Sequence, residues 1–116
     1  MQVRVVGFVP PILGTEGEFN TFRLGGFYTK HLSPGDRVYL LNEKEKLVFG
    51  LAEVLKLESG QLWELCQAHA HTNHTELGRA CADSPQRLFA LLQKFYGPHI
   101  ALPAKKAVVL FMRRLE

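Results

Sequence analysis

The chain has 116 residues, 47% hydrophobic and 22% charged, which fits one globular domain over residues 1–116 and excludes a disordered chain. Its net charge of +3 is mildly basic, permitting a nucleic-acid partner without demanding one. Cys66 and Cys81 stand in no CxxC pattern, which excludes a disulfide scaffold, and no stretch approaches the ~18 apolar residues of a membrane span, so a soluble cytoplasmic protein with reduced thiols is expected.

Residues 3–8 (VRVVGF) alternate in the manner of a strand buried on at least one face, ended by Pro10 and Pro11. Residues 14–18 (GTEGE) read as a loop. Residues 19–24 (FNTFRL) predict a short strand with Phe22 and Leu24 on one face and Thr21 and Arg23 on the other. Gly25 and Gly26 then allow a sharp change of direction. In Ser33-Pro34-Gly35-Asp36, Pro34 presets φ for the second turn position and Gly35 accepts the positive φ of the third. A strand over 37–41, a charged tip at 43–46 and a long strand over 47–57, bulged at Gly50, follow.

Helices come next. Ser59 is the expected cap of a helix through Leu62, Leu65, Cys66 and His69, spaced by three and four. Ser84 is the expected N-cap of a second, with Pro85 at its first position. Leu88, Leu91, Leu92 and Phe95 form its apolar face, and Gly97-Pro98 stops it. Residues 106–115 read as a closing strand. Long β segments with helices segregated between them predict an α+β domain: a small barrel of about five strands with two helices packed against it.

This ordered set resembles the ASCH family, a branch of the PUA-like barrels. The features that carry the resemblance are the strand with Thr21 and Arg23 after the loop at Gly17, the Pro34-Gly35-Asp36 turn, and the strand with Ala52-Glu53-Val54. A helix ending in the run His69 to His74 and a late helix running into Tyr96-Gly97 complete it. The resemblance implies a β-barrel with a cleft beside its helices and a role in RNA binding or processing. Small bacterial relatives include an amidohydrolase that deacetylates N4-acetylcytidine with a Lys, a Thr and a Glu. By position its Thr falls on Thr21 and the family's Arg on Arg23. Its Lys falls on Glu18 and its Glu near Asn73, so two of the three catalytic residue types are replaced here.

The expected ligand is RNA, a nucleotide or a modified nucleoside. Arg23 offers a planar fork of donors to a phosphate or base edge. Asn20, Thr21 and Asn73 would line the pocket, with Lys30 and His74 at its rim. The bland alternative is a solvated strand face with Arg23 paired to Glu53 or Asp36. A small hydrolase is the other functional reading, an amidohydrolase on a modified nucleoside such as N4-acetylcytidine or a ribonuclease, with Thr21 as nucleophile or water-positioning hydroxyl and Glu18 or His74 as base. His69, His71 and His74 lie within six residues, but no second ligand cluster joins them, so neither a metal nor any other cofactor is expected. Their bland role is to bond the last carbonyls of a helix. Lys105, Lys106, Arg113 and Arg114 could meet phosphates or simply end a strand. Phe27 and Tyr28, after the glycine bend, and Trp63 could stack on bases. Thr21 and Arg23 are expected in one cleft with residues 71–74, because strand residues facing the helices meet whatever the first helix presents as it ends.

Overall fold

The computed structural model describes residues 3–10 and 12–116, Val3 by its backbone alone; Pro11, expected to help end the first strand, lies outside the described residues. The elements run β1 (Val3–Phe8), β2 (Glu18–Leu24), α1 (Phe27–His31), β3 (Arg37–Asn42), β4 (Leu47–Gln61), α2 (Leu62–His69), a single 3-10 turn (Ala70–Thr72), α3 (Ser84–Tyr96) and β5 (Lys106–Arg114). The α+β class is as expected, with differences at the punctuation. A short α1 fills the stretch after the glycine bend, so three α-helices stand where two were expected. Ser59 caps nothing: it pairs with Val108 in β4, which runs on to Gln61 before α2 begins. At α3 the capping position is Asp83 rather than Ser84. The Ser84 hydroxyl is engaged elsewhere, donating to Glu76 Oε1 at 2.6 Å.

The five strands form one mixed sheet in the order β1-β3-β4-β5-β2, with β1 parallel to β3 and the other pairs antiparallel. The sheet curls but does not close, which corrects the expected barrel. β1 and β2 are its two edges, and no ladder joins them among the described residues. The reason lies on β2. Its free edge is taken by the segment after the 3-10 turn, where the His74 amide donates to the Asn20 carbonyl at 3.0 Å and Asn20 pairs with Asn73 as an isolated parallel bridge. A strand edge already occupied cannot accept a neighbour.

Alternation along the strands sorts the apolar residues onto two faces. Val6, Phe8, Phe19, Val38, Leu40, Val54, Leu110 and Met112 pack inside the curl. Phe22, Ala107 and Val109 face outward and are covered by Leu62, Leu65 and Cys66 of α2 and by Leu88 and Leu92 of α3. Two bulges bend β4. Phe49 is the extra residue between the Leu40–Gly50 and Leu41–Val48 pairs, beside the glycine where a bulge was expected, and Leu55 is the second. The 33–36 turn forms as its chemistry requires, with Gly35 at φ 93° and the Asp36 amide donating to the Ser33 carbonyl at 3.0 Å.

The loop between β1 and β2 is pinned at Gly14. Its φ is 68°, and a Cβ there would stand 2.3 Å from the His74 carbonyl oxygen. Gly14→Ala combines a left-handed backbone with a main-chain overlap that no side chain can relieve. It should lower unfolding free energy in urea by about 2 kcal/mol or more. Gly17→Ala, with nothing within 4 Å of its Cβ, should stay within about 0.5 kcal/mol.

Candidate functional site

A cavity of about 570 Å³ opens in the gap between the two sheet edges, under the C-terminal half of α3. β1 contributes Gly7 and Phe8, β2 contributes Thr21 and Arg23, and the segment after the 3-10 turn contributes Asn73, His74 and Thr75. Tyr28 of α1 and Leu91, Phe95 and Tyr96 of α3 supply apolar walls, and Glu43 and Arg79 bring opposite charges. A mostly apolar cleft with a few convergent polar groups is the usual form of a small-ligand site.

Arg23 crosses the gap. Nη2 donates to the Gly7 carbonyl on β1 at 2.6 Å, and Nη1 donates to Thr21 Oγ1 at 2.7 Å and to the Phe22 carbonyl at 2.8 Å. The guanidinium also lies over the Phe8 ring, 5.1 Å from its centroid, a favourable cation–π placement. Neither Glu53 nor Asp36 pairs with it. Glu53 binds Arg113 instead, at 2.5 Å. A guanidinium has five N–H donors, so Nε–H and the second hydrogen of Nη2 have no acceptor among the described residues.

His74 is 9% exposed, with the edges of Phe8 and Phe19 against its ring. Burial, reinforced by the charge of Arg23 and only partly offset by the Leu13 carbonyl, pushes its pKa down to about 4. The ring is therefore neutral at neutral pH. With Nδ1–H held 3.2 Å from the Leu13 carbonyl, Nε2 carries the lone pair and can only accept.

The structure divides the expected residues. Thr21, Arg23, Asn73 and His74 meet in one cavity although some fifty residues separate the two segments, as expected. Asn20 does not line it. It faces the opposite side of β2, fully buried, and Nδ2 donates to the His69 carbonyl at 2.9 Å and to Thr72 Oγ1 at 2.8 Å. Asn20, rather than Arg23, thus satisfies the end of α2. Lys30 is exposed on α1 and outside the lining, as is His71 beyond α2. Glu18 is exposed on β2 opposite Arg113 and also lies outside the lining, so it is not placed as a base for Thr21. Trp63 packs on Phe89 away from this cavity. His69 bonds Glu58 at 2.7 Å, and no cluster of three or more metal-ligating side chains occurs among the described residues.

Several lining groups escaped the sequence reading. Glu43 looked like part of a solvated hairpin tip. Yet its amide bonds the Phe8 carbonyl at 2.9 Å and its carboxylate folds back over Gly7, where a Cβ would collide with it. Leu91 and Phe95 carried a helical stripe that signalled core; the stripe also walls the cavity. A buried cluster stands beside the cavity lining: Glu76 is 1% exposed, accepts hydrogen bonds from Ser84 and Arg87, and is ion-paired with Arg79. Burial alone would raise the Glu76 pKa, but the hydrogen bonds from Arg87 and Ser84 and the two positive charges win and lower it.

The His74 shift has a measurable sign. The unfolded chain takes up this proton near pH 6.5 and the folded protein only near pH 4, so stability is intact above pH 6.5 and is lost as pH falls toward 4. That difference corresponds to about 3 kcal/mol. In chemical denaturation across that window, His74→Gln should flatten the slope. The His74 imidazole resonance, identified by its loss in His74→Gln, titrating near 6.5 in the folded protein would refute the assignment.

No family model and no curated protein sequence matches the chain. Solved structures do resemble it. The hypothetical protein PH0355 aligns with a TM-score of 0.67 at 13% identity, over 98% of this chain and 100% of that one. A protein of Enterococcus faecalis described by the family model DUF984 aligns at 0.60 with 11% identity, over 88% of this chain. The ASCH domain of Lactobacillus crispatus aligns at 0.56 with 10% identity, over 87% of this chain. The chain spans only 62% and 65% of the length of the last two. No described helix is long and apolar enough to cross a membrane. At these identities the likeness speaks for architecture alone: the chain has an ASCH-type fold, with its five-stranded sheet left open.

Proposed function

We propose that the cavity binds a nucleobase-bearing ligand, either an RNA segment or a free nucleotide or modified nucleoside. One observation carries this reading. Arg23 is fixed by three hydrogen bonds and still has donors without acceptors beside a cavity with aromatic walls. A donor fork held rigid before the ligand arrives loses little entropy on binding. Tyr28 and Tyr96 offer ring surface for a planar base, and the neutral His74 offers an acceptor. The ASCH-type fold supports the reading, because the resemblance implies RNA handling.

Titration of nucleoside monophosphates and short single-stranded RNAs should give affinities about 10- to 100-fold weaker for Arg23→Ala than for the wild type, the range expected for losing charge-assisted hydrogen bonds. A Tm measured alongside separates loss of the site from loss of the fold. Equal affinity in the two folded proteins would remove Arg23 from the site.

A hydrolase reading keeps one specific support. The Thr21 hydroxyl accepts a hydrogen bond from a cationic group at 2.7 Å, in a cavity that also holds the Glu43 carboxylate. If the protein acts on a modified nucleoside such as N4-acetylcytidine, Thr21→Val should abolish turnover while leaving ligand affinity within a few fold. Turnover unchanged in that variant would dispose of Thr21 as nucleophile.

A further inference from the structure

Beside the cavity, α1 presents an aromatic surface that the single-ligand reading does not use. Tyr28 is half-buried and lines the cavity. Its neighbour Phe27 is 63% exposed, far more than a ring of that size normally leaves in water. Phe27 is nonetheless ordered by its neighbours: its centroid lies 5.2 Å from that of Tyr28 at an interplanar angle of 86°, and 4.4 Å from that of His31 at 37°. Tyr28 packs against the core but Phe27 does not, so hydrophobic burial does not account for an aromatic residue at position 27.

The charge around it is one-sided. From Phe19 to Gly35 the sequence has no Asp or Glu, while it carries Arg23, Lys30 and His31. Lys30 is exposed on the same helix, and Lys106 Nζ lies alongside Gly26, 3.4 Å from where a Cβ would stand. Among the described residues neither lysine makes an ion pair. Stacking rings interleaved with unpaired cations are the recurrent surface of proteins that hold single strands.

We propose that the Phe27–His31 ring pair is a second stacking subsite, for the nucleotide next to the one held in the cavity, so that the ligand is a single-stranded oligonucleotide rather than a free nucleoside. The inference rests on the cavity being a nucleobase site. The ring geometry adds a constraint of its own. Bases lying flat on Tyr28 and on Phe27 would be nearly perpendicular, because the rings are. A duplex keeps adjacent bases parallel and cannot satisfy both, whereas a single strand with splayed bases can. Lys30 and Lys106 would then meet the backbone phosphates, making binding salt-dependent.

The test compares a nucleoside monophosphate, single-stranded RNA pentanucleotides and their duplexes on the wild type, Phe27→Ser and Phe27→Trp. Phe27 is exposed, so both variants should fold, which a Tm confirms. The wild type should bind the best pentanucleotide about tenfold or more tighter than the monophosphate, the scale of one stacked base. Phe27→Ser should lose that advantage and leave monophosphate affinity unchanged. Phe27→Trp should keep it, with fluorescence quenching by the pentanucleotide beyond that seen in the wild type. Equal affinity of the wild type for monophosphate and pentanucleotide overturns the subsite and leaves the cavity reading standing. So does a duplex that binds as well as the single strand, or a pentanucleotide affinity indifferent to Phe27→Ser. If the wild type binds none of these ligands, the cavity reading falls and the subsite with it.

Discussion

The hydrogen bond from Arg23 to the Gly7 carbonyl holds together the two strands that the sheet leaves apart. In a closed barrel a backbone ladder would join β1 to β2 and side chains would fill the interior. Here β2 gives its free edge to Asn73 and His74, and one guanidinium spans the remaining gap. The cavity lies where that gap is bridged by this hydrogen bond and by the Phe8–Phe19 ring contact rather than zipped by a ladder. The same contact fixes Arg23 over Phe8 and sets the positive charge that helps keep His74 neutral. Removing the guanidinium would therefore change the shape of the cavity, its donors and the protonation of its histidine together.

The segment on the β2 edge is held by buried polar contacts as well as by the packing of His74 on Phe8 and Phe19. Asn20 bonds the end of α2, Asn73 Nδ2 reaches Asn20 Oδ1 at 3.3 Å, and Asn73 Oδ1 accepts from the amide and hydroxyl of Thr75. Glu76 then ties the following loop to α3 through Ser84 and Arg87. Satisfied networks of this kind specify one geometry, since each partner left unpaired costs its full desolvation. Their acid behaviour runs in one direction. The lowered Glu76 carboxylate contributes stability above the ordinary carboxylate range that is lost as pH falls through its folded value. His74 also loses stability on acidification. Acid therefore weakens contacts made by His74 and Glu76, in and beside the cavity lining.

Local chemistry made the strands legible. The alternation in residues 3–8, the Pro34-Gly35 turn and the stripe Leu88, Leu91, Leu92, Phe95 each specify an element within a few residues. Closure was not legible, because it depends on which distant segment reaches the β2 edge, and nothing within residues 18–24 announces Asn73. The site was half legible for the same reason. Strand alternation put Thr21 and Arg23 on one face, but it also puts Asn20 on the other, so grouping all three in one pocket contradicted the pleat. Glu43 was hidden because a charge at a hairpin tip normally points to solvent; it does pair with Lys46 there, and only the long-range contact with β1 also brings its carboxylate to the cavity edge.

Glu18 shows how the fold sorts its charge. Across the outer face of the sheet, Glu18, Arg113, Glu53 and Arg37 stand opposite one another on four successive strands, β2, β5, β4 and β3. Alternating signs in cross-strand register favour that register over a slipped one. Acid on this face is thus placed where it serves strand pairing. The same β2 strand, three residues after Glu18, turns Thr21 and then Arg23 toward the cavity, and the acid-free stretch from Phe19 to Gly35 continues through α1 to the turn before β3. A net charge of +3 is too small to steer a polyanion by itself. Segregation makes it local: acids stand opposite bases on the outer sheet, while Lys30 and Lys106, beside the cavity on the α1 side, make no ion pair among the described residues. The distribution of charge, rather than its sum, links this sheet's register to what its open edge can hold.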